Sequence, residues 1–324
     1  MATYLVTGVA GFIGARVASM LLEAGHGVVG VDNLNDYYDV FLKRHRLTVL
    51  HCNSAFRFYP IDIESQAALD GLFAEHSFDA VLNLAARAGV RQSMAEPHVY
   101  MSTNAMGTLN LLESMRKHAV TKMVLASTSS LYAGLLMPFV ETLPVNTPIS
   151  PYAASKKAAE MIAFTYHSLY GLDISVVRYF TVFGPLGRPD MAVMRFIKWI
   201  ADGTPIEIFG DGSQSRDFTY IDDIASGTIS ALIPVGYEIF NLGGGNNPVS
   251  LRQIIAWIEE DLGKPSVVST RPFHKADMTA TWADISKAKQ LLGWEPSVSV
   301  REGISRCVSY FKANKALFDK IRLS

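Results

Sequence analysis

The chain has 324 residues, 29 Lys and Arg against 30 Asp and Glu, and two cysteines. Because the charges balance, no broad basic field is available to attract nucleic acid or an anionic membrane, and a small-molecule partner is expected. Cys52 and Cys307 are too few for a disulfide framework and lack metal-site spacing, so no metal is expected. We find no signal-peptide pattern and no apolar run of membrane-helix length, which predicts a soluble cytoplasmic protein.

The N-terminal part alternates short apolar runs with helical patterns. Residues 3–7 and 27–32 are predicted strands joined by a predicted helix over residues 12–24, which is a βαβ unit. The same alternation continues with a helix over 65–75 that Ser65 caps and with further strands at 56–62, 80–84, 122–127 and 174–179. Such runs are typical of strands buried on both faces, so we predict an α/β fold with a doubly wound parallel sheet of the Rossmann type.

The pattern changes near residue 181, where glycine and proline divide the chain into short pieces. We therefore expect a dinucleotide-binding domain at residues 1–180 and a smaller substrate-binding domain at 181–324. Residues 237–243 form one more strand-like run, which we expect to return to the main sheet. The two domains would then be interleaved and not joined by a flexible linker.

Three glycines mark the turn from the first predicted strand into the first predicted helix. Gly8, Gly11 and Gly14 let the backbone approach a pyrophosphate that the first helical amides, near Phe12 and Ile13, can bind. Their spacing is Gly-x-x-Gly-x-x-Gly, and not the Gly-x-Gly-x-x-Gly of many dehydrogenases. The alternative is a tight turn without a ligand.

Asp32 ends the second predicted strand, close to the position expected for a carboxylate that binds the adenine ribose of a dinucleotide. A carboxylate repels a 2′-phosphate, and the next residue is Asn33, not an arginine, so NAD is favoured over NADP. Asp62 and Ile63 follow the third predicted strand and are candidates for contact with the adenine. Asp62 is equally suited to cap a helix.

Tyr152 and Lys156 are four residues apart in a segment that favours a helix, so they share one face. A free tyrosine has a pKa near 10, but a neighbouring ammonium and a positive nicotinamide both stabilise the phenolate and make it a usable base. The hydroxyl run Ser127–Ser130 follows the apolar run 122–126, at the strand edge where such sheets bind ligands. A surface helix pair and a plain turn are the alternatives.

Together these motifs resemble the extended short-chain dehydrogenase/reductase family of nucleotide-sugar enzymes, and the resemblance spans nearly the whole chain. It also includes Asn83-Leu84-Ala85-Ala86, Asn104, Phe209-Gly210-Asp211-Gly212, Arg216-Asp217-Phe218 and Asn241-Leu242-Gly243. The resemblance implies that Thr128 relays the proton beside the catalytic Tyr152 and Lys156. It also implies cofactor contacts at Leu84, Ala85, Ala86, Asn104 and Tyr179.

Membership of this family leaves the reaction open. Its dehydratases carry an Asp-Glu pair directly after the catalytic threonine, and its UDP-glucuronate decarboxylases carry a glutamate at the second of these positions. Here the two positions are Ser129 and Ser130, so no carboxylate serves either reaction. What remains is epimerisation, in which C4 of the sugar is oxidised, the keto sugar rotates and the hydride returns to its other face.

Residues 178–192 resemble the UDP-glucuronate 4-epimerases in particular, whereas UDP-glucose 4-epimerases typically have asparagine at the place of Thr181. A uronate oxidised at C4 is a β-keto acid, which loses CO₂ if its carboxylate stands perpendicular to the carbonyl plane. We expect Ser129, Ser130 and Thr181 to hold the carboxylate away from that geometry, with Arg188 as its charge partner. The alternatives are a solvent-exposed Arg188 and a Thr181 hydroxyl bonded to backbone.

The resemblance further implies that Arg216 binds the diphosphate of UDP and that Asp277 binds the uridine ribose. The leading hypothesis is a UDP-glucuronate 4-epimerase with tightly bound NAD, which rests as NAD⁺. The alternatives are a 4-epimerase of UDP-glucose or UDP-N-acetylhexosamine, and a nucleotide-binding scaffold without turnover. Helices near residues 100–117 and 153–170 are apolar on more than one face, so a homodimer is expected unless the sheet alone buries them.

Overall fold

The central feature of the computed structural model, which describes residues 1–245, 248–273 and 278–323, is a parallel sheet of seven strands. In chain order the strands are β1 (Thr3–Thr7), β2 (Gly27–Val31), β3 (Phe56–Tyr59), β4 (Ala80–Asn83), β5 (Lys122–Thr128), β6 (Asp173–Tyr179), β7 (Thr181–Phe183), β8 (Ile206–Phe209), β9 (Ser215–Arg216), β10 (Phe218–Tyr220), β11 (Tyr237–Leu242), β12 (Val249–Ser250) and β13 (Val268–Arg271). The sheet has the order β11-β6-β5-β4-β1-β2-β3, and the predicted doubly wound parallel sheet is confirmed.

Helices cover both faces of this sheet. They are α1 (Phe12–Glu23), α2 (Val40–Leu50), α3 (Gln66–Glu75), α4 (Val90–Ala95), α5 (Pro97–Tyr100), α6 (Gly107–Lys117), α7 (Pro151–Tyr170), α8 (Ala192–Asp202), α9 (Ile221–Ser230), α10 (Leu251–Leu262), α11 (Ser286–Leu292), α12 (Val300–Ala313) and α13 (Lys315–Phe318). A π-helical turn, Met101–Met106, leads into α6, and a 3₁₀ turn, Ser129–Tyr132, follows β5.

Successive strand residues point to opposite faces, so the sheet builds two cores. Leu5 of β1 packs with α3, α6 and α7, whereas its neighbour Val6 packs with α1 and α9. A third core lies between α8, α10, α12 and β8, and includes Phe196, Ile254 and Val308. This clustering agrees with a smaller C-terminal unit, although the division at residue 180 stays a prediction.

Strand β11 pairs in parallel with β6, from Tyr237 beside Ile174 to Leu242 beside Tyr179. The C-terminal half of the chain thus supplies the last strand of the main sheet. Three pairs of short strands lie outside it among the described residues: β10 with β7, β12 with β9, and β13 with β8.

Helix α7 begins at a well-formed N-terminus, which fixes its first two turns. The Ser150 hydroxyl accepts a hydrogen bond from the Ala153 N–H at 3.2 Å, and Pro151 occupies the first helical position. The helix ends at Gly171, whose φ of 69° suits a residue without a Cβ. Tyr152 therefore lies in the first turn and Lys156 in the second.

The residues that the structure describes contain no helix both long and apolar enough to cross a membrane. The same residues contain no cluster of three or more His, Cys, Asp or Glu that could hold a metal ion.

The β1–α1 turn has no room for a side chain at its third glycine. A Cβ on Gly14 would overlap the carbonyl oxygen of Gly8, a backbone atom that cannot rotate away. We therefore expect Gly14→Ala to lower the free energy of unfolding by about 1–3 kcal/mol. Gly71→Ala is the matched control, because a Cβ there meets no atom within 4 Å in α3 and should raise stability by about 0.5–1 kcal/mol. Urea unfolding followed by circular dichroism measures both, and equal stability of the two variants would contradict the packing argument.

Candidate active site

A cavity of about 600 Å³ lies along the edge where the parallel strands end. It brings together nearly all the site residues predicted from the sequence. Those that line it are Gly8, Gly11, Phe12, Ile13, Gly14, Asp32, Asn33, Asp62, Ile63, Leu84, Ala85, Ala86, Thr128, Ser129, Ser130, Tyr152, Lys156, Tyr179, Thr181, Arg188 and Arg216. Asn104 does not line it, and the predicted Asp277 lies outside the described residues.

At one end of the cavity the backbone of the β1–α1 turn meets the chain after β4. Gly8 has a φ of 66°, and a Cβ on it would lie 2.8 Å from Ala85 Cα. The Thr7 hydroxyl fixes this approach, because it accepts the N–H groups of Leu84 and Ala85 at 3.1 Å each. Gly11 precedes α1 without a side-chain cap, which leaves the first helical amides to bind an anion.

Asp32 is held in place by backbone. Its carboxylate accepts the Ala10 N–H at 3.2 Å and the Leu34 N–H at 2.8 Å, and the Lys43 ammonium lies 4.0 Å away. Lys43 is buried on α2 and also donates to the Asn35 carbonyl at 2.8 Å. Burial lowers the pKa of Lys43, and the charge of Asp32 opposes this. Sequence reasoning missed Lys43, because no motif marks a helical lysine eleven residues after the aspartate.

Asp62 lies at the cavity and does not cap the helix that follows it. It lines the cavity, and its carboxylate accepts the Asn33 amide at 2.7 Å and the Glu64 N–H at 2.9 Å. The helix α3 is capped instead by Ser65, whose hydroxyl accepts the Ala68 N–H at 3.4 Å. Asp62 therefore shapes the turn before the helix cap and joins the second and third strand ends.

Asn104 was expected to contact the cofactor, but the structure places it behind the cavity wall. Its amide donates to the Arg87 carbonyl and to the Ser155 hydroxyl, both at 2.9 Å, and its oxygen accepts the Arg87 N–H at 2.9 Å. These bonds hold the loop after β4 against α7. Asn104 thus supports the wall and does not line the cavity.

Tyr152 and Thr128 both line the cavity, and the Thr128 hydroxyl acts on the Tyr152 phenol. Burial raises the pKa of Tyr152, and the Thr128 bond and the charge of Arg188 oppose that rise. The sequence argument gave this lowering to Lys156. The influences that lower the Tyr152 pKa are instead a hydroxyl from β5 and an arginine from the loop after β7, and Lys156 is not among them.

Lys156 is buried one turn further along α7. Its ammonium donates to the Ala126 carbonyl at 2.9 Å, which joins the helix to the end of β5. Burial lowers the pKa of Lys156 to about 8, and the charge of Glu160 opposes this. The lysine is therefore charged at neutral pH but close to its titration range.

Three further hydroxyl residues line the cavity that holds Tyr152 and Lys156. Ser129 and Ser130 begin the 3₁₀ turn after β5, and the Ser130 N–H donates to the Thr128 hydroxyl at 3.1 Å. Thr181 begins β7, where its N–H donates to the Asp217 carbonyl at 3.1 Å, and it lines the same cavity. The three predicted hydroxyl residues thus line the same cavity.

Arg188 is not a solvent-exposed loop arginine. Its guanidinium binds Asp190 through two bonds, of 3.0 Å and 2.5 Å, and lies 5.3 Å from the ring centre of Tyr37. Burial is the largest single influence and lowers the pKa of Arg188, but the charge and bond of Asp190, together with Tyr37 and Tyr38, outweigh it and raise that pKa. Asp190 was not identified from the sequence, although it lies two residues later in the same segment. Arg188 is therefore held by a carboxylate of its own chain.

Arg46 connects the glycine turn to the loop that carries Arg188. Its guanidinium donates to the Ala10 carbonyl at 2.9 Å, to the Tyr38 hydroxyl at 2.8 Å and to the Leu186 carbonyl at 2.6 Å. It is buried and was not identified from the sequence, because a helical arginine carries no motif.

Arginines collect at the other end of the cavity. Arg216 lines it and donates to the Ser215 carbonyl at 2.8 Å. Arg91 stacks 3.8 Å from the ring centre of Phe209, and Arg195 also lines the cavity, with a buried Nε that no described residue accepts. Such a group suits an anion with several oxygens, such as a diphosphate. Only Arg216 was given this role from the sequence.

A family model described as GDP-mannose 4,6 dehydratase matches residues 5–307. The chain belongs to this family. The predicted resemblance to extended short-chain dehydrogenases/reductases is thereby confirmed.

Several proteins of known name are similar to this chain in sequence or in structure. The chain is 60% identical over 323 residues to a UDP-glucuronate 4-epimerase of Thermodesulfobacterium geofontis (strain OPF15), with 100% of each chain covered. It is 37% identical to the solved UDP-glucuronic acid 4-epimerase of Bacillus cereus in complex with UDP-glucuronic acid and NAD, with a TM-score of 0.90 over 96% of this chain and 99% of that one. The UDP-glucose 4-epimerase of Thermotoga maritima, solved with UDP-glucose, is 34% identical with a TM-score of 0.87, covering 97% and 99%.

Proposed function

We propose that this protein is an NAD-dependent UDP-glucuronate 4-epimerase that interconverts UDP-glucuronate and UDP-galacturonate. The observation that carries the proposal is the meeting of two groups in one cavity. Tyr152, Thr128 and Arg188 line the same cavity, and the charge of Arg188 opposes the rise in the Tyr152 pKa. A proton-transfer group and a uronate-binding group can therefore act on one sugar. The 60% identity to a UDP-glucuronate 4-epimerase supports the same conclusion.

The residues present fit a dinucleotide. The close backbone approach at Gly8 and the uncapped start of α1 suit the pyrophosphate, and the carboxylate of Asp32 suits the diol of an adenine ribose. We propose that NAD is held tightly and rests as NAD⁺. When bound, it supplies the hydride acceptor for C4 of the sugar and returns the hydride later.

The residues of this chain supply the proton transfer. Tyr152 accepts the proton of the C4 hydroxyl, and Thr128 orients the phenol and favours its ionised form. Lys156 places a positive charge nearby. After the keto sugar has turned its other face, Tyr152 returns the proton to the new C4 oxygen.

The uronate must be held so that it keeps its carboxylate. We propose that Ser129, Ser130 and Thr181 donate hydrogen bonds to it, while Arg188 supplies the charge from its fixed position on Asp190. Loss of CO₂ is slow when the carboxylate is kept out of the perpendicular geometry. The serines stand where the dehydratases have acids, so no group here removes a C5 proton.

We propose that the arginine end binds UDP, with Arg216, Arg195 and Arg91 near the diphosphate. Asp277 stays a prediction for the uridine ribose. The likeness to a UDP-glucose 4-epimerase makes epimerisation of neutral UDP-sugars, including UDP-N-acetylhexosamines, the second candidate function.

We further propose a cytoplasmic homodimer. Helix α7 exposes Met161, Phe164 and Leu169, and the π-helical turn before α6 exposes Met101 and Met106. These side chains form an apolar face on two neighbouring helices, which a second copy of the chain would cover.

The first prediction from this proposal concerns turnover. Protein purified without added NAD is incubated with UDP-glucuronate and followed by proton NMR, and we expect UDP-galacturonate without release of CO₂. Tyr152→Phe should lower the rate at least about 100-fold, because the acid–base oxygen is lost. Tyr170→Phe, at the exposed end of the same helix, is the control and should leave the rate unchanged.

Other products would show that the protein has a different activity. A pentose product would indicate decarboxylation, and turnover of neutral UDP-sugars alone would favour the second candidate. Near-normal activity of Tyr152→Phe would contradict the mechanism.

The second prediction concerns recognition of the carboxylate. Arg188→Ala and Thr181→Asn should each lower kcat/KM for UDP-glucuronate by about 10–100-fold, since each removes a bond to a charged group. Binding of UDP alone, measured by calorimetry, should change little. Arg116→Ala is the control, because Arg116 pairs with Glu113 on the surface. Equal losses for UDP and for the uronate would show that these residues have another task.

The third prediction concerns assembly. Met161→Glu should turn a dimer into a monomer, because a charge would be buried in the proposed interface. Light scattering after size-exclusion chromatography measures the mass. Leu136→Glu, at another exposed apolar position, should leave the dimer intact. A monomeric wild-type protein would contradict the proposal.

A further inference from the structure

A buried carboxylate lies directly behind the proton-transfer group. Glu160 is on α7, one turn after Lys156, and only 2% of it is exposed. It does not line the cavity. Nothing in the mechanism described so far uses it.

The bonds of Glu160 are numerous for a buried carboxylate. Oε1 accepts the Ser127 hydroxyl at 2.6 Å and Arg178 Nε at 2.9 Å, and Oε2 accepts Arg178 Nη2 at 2.7 Å. Arg178 is 1% exposed. Removing two charges from water is costly, and a buried pair of this kind often stabilises a fold no more than apolar side chains would. Its placement therefore calls for a role other than stability.

The pair connects three elements of the site. Ser127 directly precedes Thr128 on β5, so its bond to Glu160 ties the end of that strand to α7. On the other side, Arg178 Nη1 donates to the Tyr132 hydroxyl at 2.7 Å. Tyr132 ends the 3₁₀ turn that begins with Ser129 and Ser130 of the hydroxyl run. Helix, strand end and turn are thus held in one geometry.

The charge of Glu160 also acts on Lys156. Burial lowers the pKa of the lysine, and Glu160 opposes this. The other groups that face Glu160 are Arg178 from β6, Lys157 at 3.8 Å, and the Tyr237 hydroxyl from β11, which donates to the Glu160 backbone carbonyl at 3.0 Å.

We propose that Glu160 is a positioning residue for proton transfer, an inference that rests on the proposed function. Glu160 keeps Lys156 charged near Tyr152, and it fixes the strand end that carries Thr128. A lysine loses its charge as the pH rises through its pKa. Without the carboxylate this loss occurs at lower pH, so activity should fall earlier on the alkaline side. Glutamine has the shape of glutamate and keeps much of its hydrogen bonding, so the Glu160→Gln substitution tests the effect of the negative charge alone.

The test is the pH dependence of Glu160→Gln. We expect the alkaline fall of kcat to move about one pH unit lower, the order of shift expected when a nearby opposite charge is removed. Carbon-13 NMR of lysine-labelled holoprotein measures the Lys156 titration directly, with its resonance assigned by its loss in Lys156→Arg. The Lys156 midpoint should move in the same direction. Glu160→Asp, which keeps the charge, should bring both back toward the wild-type values.

Two further variants separate this effect from instability. Asp173→Asn breaks the Lys122–Asp173 ion pair of 2.5 Å at the opposite end of the same two strands. It should lower stability without moving the alkaline fall. Glu160→Gln combined with Arg178→Met removes the buried arginine charge that Glu160→Gln alone would leave without its carboxylate, so the double variant should fold and still show the shift.

An unchanged Lys156 midpoint in Glu160→Gln would overturn the inference, as would a kcat lowered equally at every pH. Failure of Glu160→Asp to restore the midpoint would also overturn it. The NMR titration does not need turnover. A wild-type protein without epimerase activity would therefore refute the proposed function and leave the Glu160 result readable.

Discussion

The parallel direction of the seven strands is the constraint on which the rest of the structure depends. Strands that run the same way end at the same edge, so polar residues far apart in the chain reach one cavity. Asp32 follows β2, Thr128 ends β5 and Thr181 lies just beyond β6. The two faces of the sheet are covered by helices, which leaves this edge as the place where polar groups can meet a ligand.

Burial then determines the electrostatics of the site. Three cations that line the cavity have lost water and are each balanced by a carboxylate: Lys43 by Asp32, Lys156 by Glu160 and Arg188 by Asp190. These partners come from the protein itself, so the charges are in position before any ligand arrives. Such preorganisation is the usual source of electrostatic stabilisation in enzymes.

The sequence predicted the sheet, the glycine turn and the Tyr152–Lys156 helix, because each has a local signal such as an apolar run, a spacing or a helical repeat. It also indicated the hydroxyl run, from its place after an apolar run, and Arg188, from the family resemblance. It could not reveal Glu160, Asp190 or Arg46 as partners. Their importance comes from contacts across elements, such as the bond from Arg46 to the Leu186 carbonyl, and no local pattern records these. For the same reason it placed Asn104 on the cofactor, where the structure turns its amide toward Arg87 and Ser155.

The return of β11 to the sheet has a consequence for how the molecule could be divided. If the chain were cut after residue 180, β6 would become the outermost strand and would present a row of unpaired amides and carbonyls. Strand β6 is almost wholly buried and contains no proline, and its two charged residues, Asp173 and Arg178, are already paired with Lys122 and Glu160 inside the fold. The nucleotide-binding half would then be open to pairing with other chains. The C-terminal half therefore protects the sheet from aggregation in addition to carrying residues of the site.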